Sequence, residues 1–318
     1  MLNRRILRIK AFKVLYSYAE NPSMTLAEAE SQLEVSCEAA RNLYLLMLAI
    51  IPALTTEAAT RLEEARGKFN PTEEERNPNR KFADNMLGPL LGQDPDFKKI
   101  LARRGLSWEQ YDVLVRNVYD SIRAKDWFLE YMASPERSLE GDAKLFTRIY
   151  EEEFVDNEDL SGILEDLSIW WNDDLAYSLT CCCDTLKDLA RGGRWTLPPL
   201  YRSEMQPSRS LESDKAFVFK LLRTAYACCG EYADLIAESV SKWEKDRLFV
   251  TDTVLISMGL AEARAFPSMP LKVTINEYVE ISKYYSTPKS RSFVNGLLDR
   301  LVRKQIEEGK IVKNEKID

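Results

Sequence analysis

The chain contains no histidine, only 12 glycines and 13 prolines, and no pair of cysteines at Cys-x-x-Cys spacing. The absence of histidine excludes Ser–His and Cys–His nucleophile pairs and histidine-ligated metals. The low glycine count argues against a β-rich or Rossmann-type protein, and the sequence has neither a G-x-G-x-x-G motif nor a P-loop. We therefore expect no metal, no cofactor and no catalytic activity.

Five of the six cysteines lie in two adjacent runs, Cys181 to Cys183 and Cys228 to Cys229. Neighbouring residues of a helix point in different directions, so such runs have poor metal geometry and predict buried, reduced thiols. The longest apolar run, residues 43–54, contains Pro52 and is too short to cross a bilayer. Because the N-terminus has no apolar secretory segment, we expect a cytoplasmic protein that does not associate with membranes.

Charge is distributed unevenly around a net value of −7. Residues 1–19 carry five Lys/Arg and no acid, and residues 264–318 carry eleven Lys/Arg against seven Asp/Glu. The remainder, residues 20–263, is strongly acidic. Salt screening limits the electrostatic effect of each basic end to its immediate surroundings, so either end can bind a polyanion locally. Charge alone leaves the alternative open that both ends are solvated tails.

Helical periodicity runs through most of the sequence, and strand alternation is almost absent. The Gly/Pro-rich stretch 191–213 is the best candidate for a linker. A capping box at Ser107–Gln110 predicts the start of a helix, and Ser290 and Ser292 are expected to cap the last one. The predicted helices cover approximately residues 3–20, 25–66, 107–132, 134–153, 158–173, 175–190, 214–241, 245–262, 271–285 and 291–307.

Two groups of residues have the chemistry of an anion site. Arg4, Arg5 and Arg8 share one face of the first helix, where their mutual repulsion opposes folding unless an anion meets them. Guanidinium groups bind phosphate oxygens through paired hydrogen bonds. Tyr16 and Tyr18 follow on the same helix and are candidates for stacking on bases, although we expect Tyr16 in the core.

The second group, Lys289, Arg291 and Phe293, flanks the turn at 286–288. A basic pair beside an aromatic side chain at a helix N-terminus is an anion and base site in principle. Alone this is a weak signal, and the alternative that Phe293 is a core residue stays open.

The C-terminal blocks Pro270-Leu-Lys-Val-Thr-Ile-Asn-Glu277 and Phe293-Val-Asn-Gly-Leu-Leu-Asp299 resemble the last two helices of the NusB family of transcription antitermination factors. Trp243 to Asp252 is similar to the stretch that opens that family's preceding helix. Arg4 to Tyr18 resembles its arginine-rich first helix. The similarity is continuous over about 214–304 and shorter at the N-terminus.

The resemblance implies an all-α fold of two packed helical bundles, enlarged here by additional helices. It also implies a non-enzymatic factor that binds boxA-like RNA together with ribosomal protein S-ten (Nus factor E), within the RNA polymerase antitermination complex. Carried over to this chain, it assigns RNA binding to Arg4, Arg5, Arg8, Lys13, Lys289, Arg291 and Phe293. Asp252 and Glu262 are the residues that it offers for the protein partner.

The chain departs from the family pattern after the first helix, where a short connection is replaced by about 180 acidic residues. We therefore expect four segments: a first core helix at 1–22, an insert at 23–205, C-terminal core helices at 206–308 and a charged tail at 309–318. Ser257 and Ala261 also stand where the family often has Arg and Tyr, so partner contacts are expected to differ.

Two other functions are consistent with parts of the sequence. The same helical module occurs in ribosomal RNA cytosine methyltransferases, but these enzymes need a cofactor-binding α/β domain after the module, and the sequence here ends with it. A helical protein-interaction scaffold that uses the acidic insert and binds no RNA remains as the alternative.

Overall fold

The computed structural model describes residues 1–205, 213–240 and 248–314. Parts of three expected segments lie outside these ranges. They are residues 206–212 of the linker, residues 241–247, which include the start of the helix predicted at 245–262, and residues 315–318 of the tail. The described residues form no β-strand. Their one β-bridge joins Leu2 to Tyr201, with Leu2 N donating to the Leu200 carbonyl at 2.7 Å. The predicted all-α class is confirmed.

Fifteen α-helices are described, here numbered in chain order. They are α1 (Arg4–Glu20), α2 (Leu26–Arg66), α3 (Glu73–Arg76), α4 (Leu87–Gly92), α5 (Pro95–Arg104), α6 (Asp112–Arg123), α7 (Asp126–Ala133), α8 (Leu139–Ile149), α9 (Glu158–Leu167), α10 (Leu175–Ala190), α11 (Asp214–Ala227), α12 (Cys229–Ser239), α13 (Val250–Ala265), α14 (Leu271–Tyr285) and α15 (Ser290–Glu307). A π-helical turn at Tyr150–Phe154 continues α8, and short 3-10 turns lie at Glu109–Tyr111, Ile169–Trp171 and Arg202–Met205.

The chain divides into two compact units. The first comprises Met1–Cys37 and Pro199–Asp318, and the second comprises Glu38–Pro198. Both breaks differ from the expected segment boundaries, because residues 23–37 and 199–205 belong to the first unit. The expected boundaries of the family core stay a prediction, since compactness does not define homology.

The first unit is built around α13. Eleven of its sixteen residues are buried, as expected for a helix that is covered on every side. It packs against α1, α11, α12, α14 and α15. Gly259 permits the approach of α15, because a Cβ there would lie 2.5 Å from a side-chain carbon of Leu298.

The second unit contains the apolar part of α2 in its core. Residues Leu43, Leu45, Leu48 and Leu54 are completely buried, which confirms that this apolar run is a core segment. By length and composition α2 alone among the described helices could cross a membrane, but 67% of its apolar window is buried inside the protein. A ring cluster centred on Phe82, with Tyr119, Phe128 and Phe146, fills a second part of this core.

Several predicted helix boundaries are wrong for local reasons. Ser107 bonds only the backbone N–H of Glu109, so the expected capping box opens a 3-10 turn and α6 begins at Asp112. Ser138, not Ser134, caps α8. The predicted 214–241 helix breaks at Cys228 into α11 and α12.

Helices α4 and α5 were not predicted at all. For α5 a signal was present, because Asp94 before Pro95 is a typical N-cap followed by proline in the first turn. Asp94 accepts hydrogen bonds from the backbone N–H groups of Asp96 and Phe97, both at 2.9 Å.

Candidate functional site

The residues expected to form one arginine stripe each meet a carboxylate within the first unit. Arg8 is almost fully buried and makes a paired hydrogen bond to Glu262, at 2.7 Å from Nε and 2.8 Å from Nη2. The Glu262 carboxylate also accepts hydrogen bonds from Thr274 Oγ1 and Tyr278 OH, each at 3.0 Å. Burial and the neighbouring Glu262 raise the pKa of Tyr278, so its hydroxyl stays protonated and donates. Arg8 and Glu262 are therefore the centre of a buried polar network.

Arg4 and Arg5 lie nearer the surface and are also paired. Arg4 Nε lies 3.1 Å from Asp214 Oδ1, and its guanidinium covers the Phe217 ring at 4.7 Å from the centroid. Arg5 makes a paired hydrogen bond to Glu277 at 2.9 and 2.8 Å. This hydrogen bond raises the pKa of Arg5 and lowers the pKa of Glu277. Half of the Arg5 side chain remains exposed, so it can exchange its carboxylate for another anion.

Repulsion among the three arginines favours an anion beside them, and the fold supplies three carboxylates of its own. The side chain of Arg8 is 3% exposed and that of Glu262 is 0% exposed. Neither offers a charged group to a ligand in this conformation. We therefore remove Arg8 from the proposed RNA surface and Glu262 from the proposed partner surface, and assign both to holding α1, α13 and α14 together.

Asp252, the other residue expected at a partner surface, is also buried and has a positioning role. Its carboxylate accepts hydrogen bonds from Ser286 Oγ at 2.6 Å and from Ser290 Oγ at 2.8 Å. The two hydroxyls are themselves 2.8 Å apart. Asp252 thus fixes both sides of the turn between α14 and α15, which carries Lys289.

The turn presents an exposed basic surface. Lys289 immediately precedes α15 and Arg291 lies in its first turn, and both side chains are exposed. Within the described part of the chain, neither forms an ion pair with a carboxylate. The first turn of α15 contains no acidic residue, and no side chain caps it, so the expectation that Ser290 or Ser292 caps this helix is wrong. Ser290 N–H donates to the Thr287 carbonyl at 2.9 Å, and the other N–H groups of the first turn, together with the two cations, favour a bound anion.

Aromatic rings join this turn to α1. Tyr285 lies at the end of α14, and its ring is 5.2 Å from that of Phe12, between centroids. The ammonium of Lys13 lies 5.8 Å from the centroid of the same ring. Tyr16 is 36% exposed, so its expected place in the core is wrong, while Tyr284 is 81% exposed. These contacts pack α1 against the end of α14. The basic and aromatic side chains of α1 and of the adjoining 284–293 segment are together called here the basic–aromatic surface.

The basic–aromatic surface contains some predicted residues and some that the sequence did not indicate. It comprises Lys13, Tyr16, Tyr284, Tyr285, Lys289, Arg291 and the half-buried Phe293, with Arg5 further along α1. Tyr284 and Tyr285 were missed. A signal for them existed, because a tyrosine pair directly before a Ser-Thr-Pro turn cannot place both rings in one core.

An apolar groove lies elsewhere on the first unit. It has a volume of about 350 Å³ and is lined by Leu15 and Tyr18 of α1, Cys229 at the start of α12, and Val250 and Val254 of α13, among others. Val250 is 42% exposed. Burial raises the pKa of the Cys229 thiol, so it acts as an apolar lining group at neutral pH. A groove of this composition suits an apolar segment of another molecule.

The NusB family model matches residues 196–303 of the chain, which include α11 to α14 and most of α15. The transcription antitermination protein NusB of Desulforapulum autotrophicum is 33% identical over 123 residues, which are 38% of this chain and 85% of that protein. The chain belongs to the NusB family. The match places the family core in the first unit and leaves most of the second unit outside it.

Two further NusB proteins show how much of each chain is shared. The protein of Chloroherpeton thalassium is 39% identical over 85 residues, 27% of this chain and 40% of its own length. That of Salinibacter ruber is 33% identical over 101 residues, 32% of this chain and 63% of its own length. The chain thus spans about half the length of these two relatives. No solved structure matches it.

Proposed function

We propose that this NusB-family chain is a cytoplasmic, non-enzymatic transcription antitermination factor that binds boxA-like RNA together with ribosomal protein S-ten (Nus factor E). Family membership and the printed names of the relatives support the general role. The observation that carries the RNA assignment is the basic–aromatic surface, where Lys289 and Arg291 are exposed and form no ion pair with a carboxylate of the described residues, and where Tyr284 is exposed in the same segment.

The physical basis is the combination of phosphate and base contacts. Lys289, Arg291 and the first-turn N–H groups of α15 suit phosphate oxygens, while Tyr284 and Tyr16 offer faces on which unpaired bases stack. Arg4 and Arg5 contribute at the edge by exchanging Asp214 and Glu277 for phosphate. Single-stranded RNA with splayed bases fits such a surface better than a duplex does.

RNA binding is tested by fluorescence anisotropy with a boxA RNA and a scrambled RNA of equal length, with and without ribosomal protein S-ten. The double variant Lys289→Ala with Arg291→Ala should weaken boxA binding and flatten its salt dependence by roughly 1.4 units, at about 0.7 per phosphate. Arg303→Ala with Lys304→Ala is the matched control on the same helix. Both control side chains are about half exposed and paired with neighbouring acids.

If boxA RNA binds no better than scrambled RNA in the presence of the partner, the proposed function is wrong. If the protein partner still binds while no RNA does, the alternative of a protein-interaction scaffold is supported, because it requires partner binding that is independent of the basic side chains.

For the protein partner we propose the apolar groove, since Asp252 and Glu262 are buried. Val250→Glu places a charge at its edge and should weaken binding of ribosomal protein S-ten. Val273→Glu is the control, because Val273 on α14 is also 42% exposed and receives the same substitution. If both variants lose partner binding equally, or if neither loses it, the groove is not part of the interface.

A further inference from the structure

A basic pocket lies in the second unit, although that unit has 20 Lys/Arg against 30 Asp/Glu over residues 38–198, a net charge of −10. The pocket has a volume of about 440 Å³, and α5 and the segment after α10 line it. Lys99, Arg103 and Arg194 are among its lining residues, while Ile100 and Leu197 add apolar surface. Asp96 is the single carboxylate among the lining residues that the structure describes.

Two of the cations lie on α5 without a partner. Lys99 and Arg103 are four residues apart, so they share one face of the helix. Both are exposed, and in the described ranges no carboxylate lies within ion-pair distance of either. Like charges at this spacing oppose helix formation, so α5 folds with an uncompensated repulsion that an anion would relieve.

The third cation is held in place by a well-defined turn. Trp195 is buried, donates Nε1–H to Tyr44 OH at 3.3 Å and packs edge-on against Phe97 at 4.8 Å. Gly193 precedes Arg194, and a Cβ at that glycine would lie 2.7 Å from the Asp188 carbonyl oxygen. The anchored Trp195 and the tight turn thus project the exposed Arg194 side chain to the pocket.

Arg194 is the one cation of the pocket with carboxylate contacts. Its Nη2 lies 3.3 Å from Asp96 and its Nε 3.7 Å from Asp94. These contacts orient the guanidinium at the N-terminal end of α5 and leave donors available for a second anion. With Lys99 and Arg103 included, the cations still outnumber the carboxylates.

A second groove in the same unit shows that uncompensated charge is not a general property of its surface. That groove is lined by residues of α8, the following π-helical turn and the end of α10, and each of its four cations has an acidic partner. The pairs are Lys144–Glu140, Arg148–Glu152, Lys187–Asp184 and Arg191–Asp188.

We propose that the basic pocket binds the phosphate group of a nucleotide, carried either by an RNA strand or by a free nucleotide. Lys99 and Arg103 neutralise the phosphate, Arg194 donates to its oxygens, and Ile100 and Leu197 contact the apolar faces of the sugar and base. The volume accommodates one nucleotide. Helix α5 lies outside the residues that the family model matches, so this site goes beyond the proposed function. RNA as the source of the phosphate rests on the proposed function, whereas a free nucleotide does not.

The test uses the full chain with two probes: a single-stranded RNA of about 20 nucleotides, followed by anisotropy, and adenosine 5′-monophosphate, followed by titration calorimetry. The variant is Lys99→Ala with Arg103→Ala. Lys144→Ala with Lys187→Ala is the control, because it removes the same charge from the same unit. Alanine keeps the helix propensity of α5, so the variant should melt at the wild-type temperature or slightly above it.

We expect the variant, and not the control, to bind at least one probe about three- to tenfold more weakly, the fold-change expected when one or two solvent-exposed charge contacts are lost. A loss confined to RNA assigns the pocket to a strand, and its salt slope should fall by roughly 0.7 units, the value for one phosphate. A loss with adenosine 5′-monophosphate assigns it to a free nucleotide. Unchanged affinity for both probes overturns the proposal.

The Lys289→Ala with Arg291→Ala variant separates this proposal from the proposed function. It should weaken RNA binding without changing binding of the mononucleotide. If wild-type chain binds the mononucleotide through Lys99 and Arg103 but shows no preference for boxA RNA, the pocket stands and the proposed function fails.

Discussion

Replacing Glu262 by leucine tests whether Arg8 is a structural residue. The substitution leaves a buried guanidinium whose nearest remaining carboxylate, Glu277, is 3.7 Å from Nη1. Removing one member of a buried ion pair costs about 3–5 kcal/mol, because the other charge stays desolvated without compensation. Burial alone would lower the pKa of Arg8, but the hydrogen bond and attraction to Glu262 outweigh it and raise that pKa. In the variant these interactions are lost, but the guanidinium still keeps its proton, because arginine is effectively always protonated in proteins, so the cost remains.

Two further variants remove the other charge of the pair or both charges. Arg8→Met should lower the free energy of unfolding by a similar amount, since it leaves the buried Glu262 carboxylate without its cation. The double variant Arg8→Met with Glu262→Leu should destabilise the chain by about 2–6 kcal/mol, less than the sum of the two single variants. It buries no charge, but it leaves the hydroxyls of Thr274 and Tyr278 without their acceptor, at about 1–3 kcal/mol for each unsatisfied group.

The assay is urea unfolding followed by far-UV circular dichroism. The variants are compared at a common slope of unfolding free energy against urea concentration. Asp299→Ala is the reference for a surface pair, because Arg303 Nε contacts both Asp299 oxygens at 3.1 Å while the two side chains stay over 40% exposed. It should cost less than about 0.5 kcal/mol. A Glu262→Leu cost near this reference, or additive single variants, would refute the structural role.

Three other predictions follow from close contacts. Gly259→Ala should destabilise the chain by about 1–3 kcal/mol in urea unfolding, and adding Leu298→Ala should give a smaller loss than the two singles summed. Arg5 lowers the pKa of Glu277, so the Arg5–Glu277 pair stabilises the fold at pH values above the ordinary pKa of a glutamate side chain. That stabilisation is lost as the pH falls through the lowered pKa of Glu277 in the folded state. The advantage of wild type over Glu277→Gln should therefore shrink between about pH 5 and pH 3, and a constant difference would contradict it. Asp252→Ala frees the α14–α15 turn and should weaken boxA binding in the anisotropy assay; unchanged affinity would show that the turn needs no such support.

Most of the helices could be predicted from the sequence because their signals are local. Apolar spacing predicts the first helix at 3–20, within one residue of its observed bounds Arg4–Glu20. The last two helices were equally clear. Short elements such as α4 carry too few residues for a period to show, and the break at Cys228 depends on packing, not on a Gly or Pro.

The sequence by itself determined the all-α class, the family and the two basic segments that flank the acidic middle. It could not decide which charges face solvent. Arg8 and Arg291 both lie in basic segments of the sequence, but Arg8 is buried in an ion pair with Glu262 of α13, whereas Arg291 is exposed and forms no ion pair with a carboxylate of the described residues. That distinction depends on residues more than 250 positions apart, and only the tertiary structure brings them together. The same holds for Lys99 and Arg103, whose significance depends on the segment that the anchored Trp195 holds beside them.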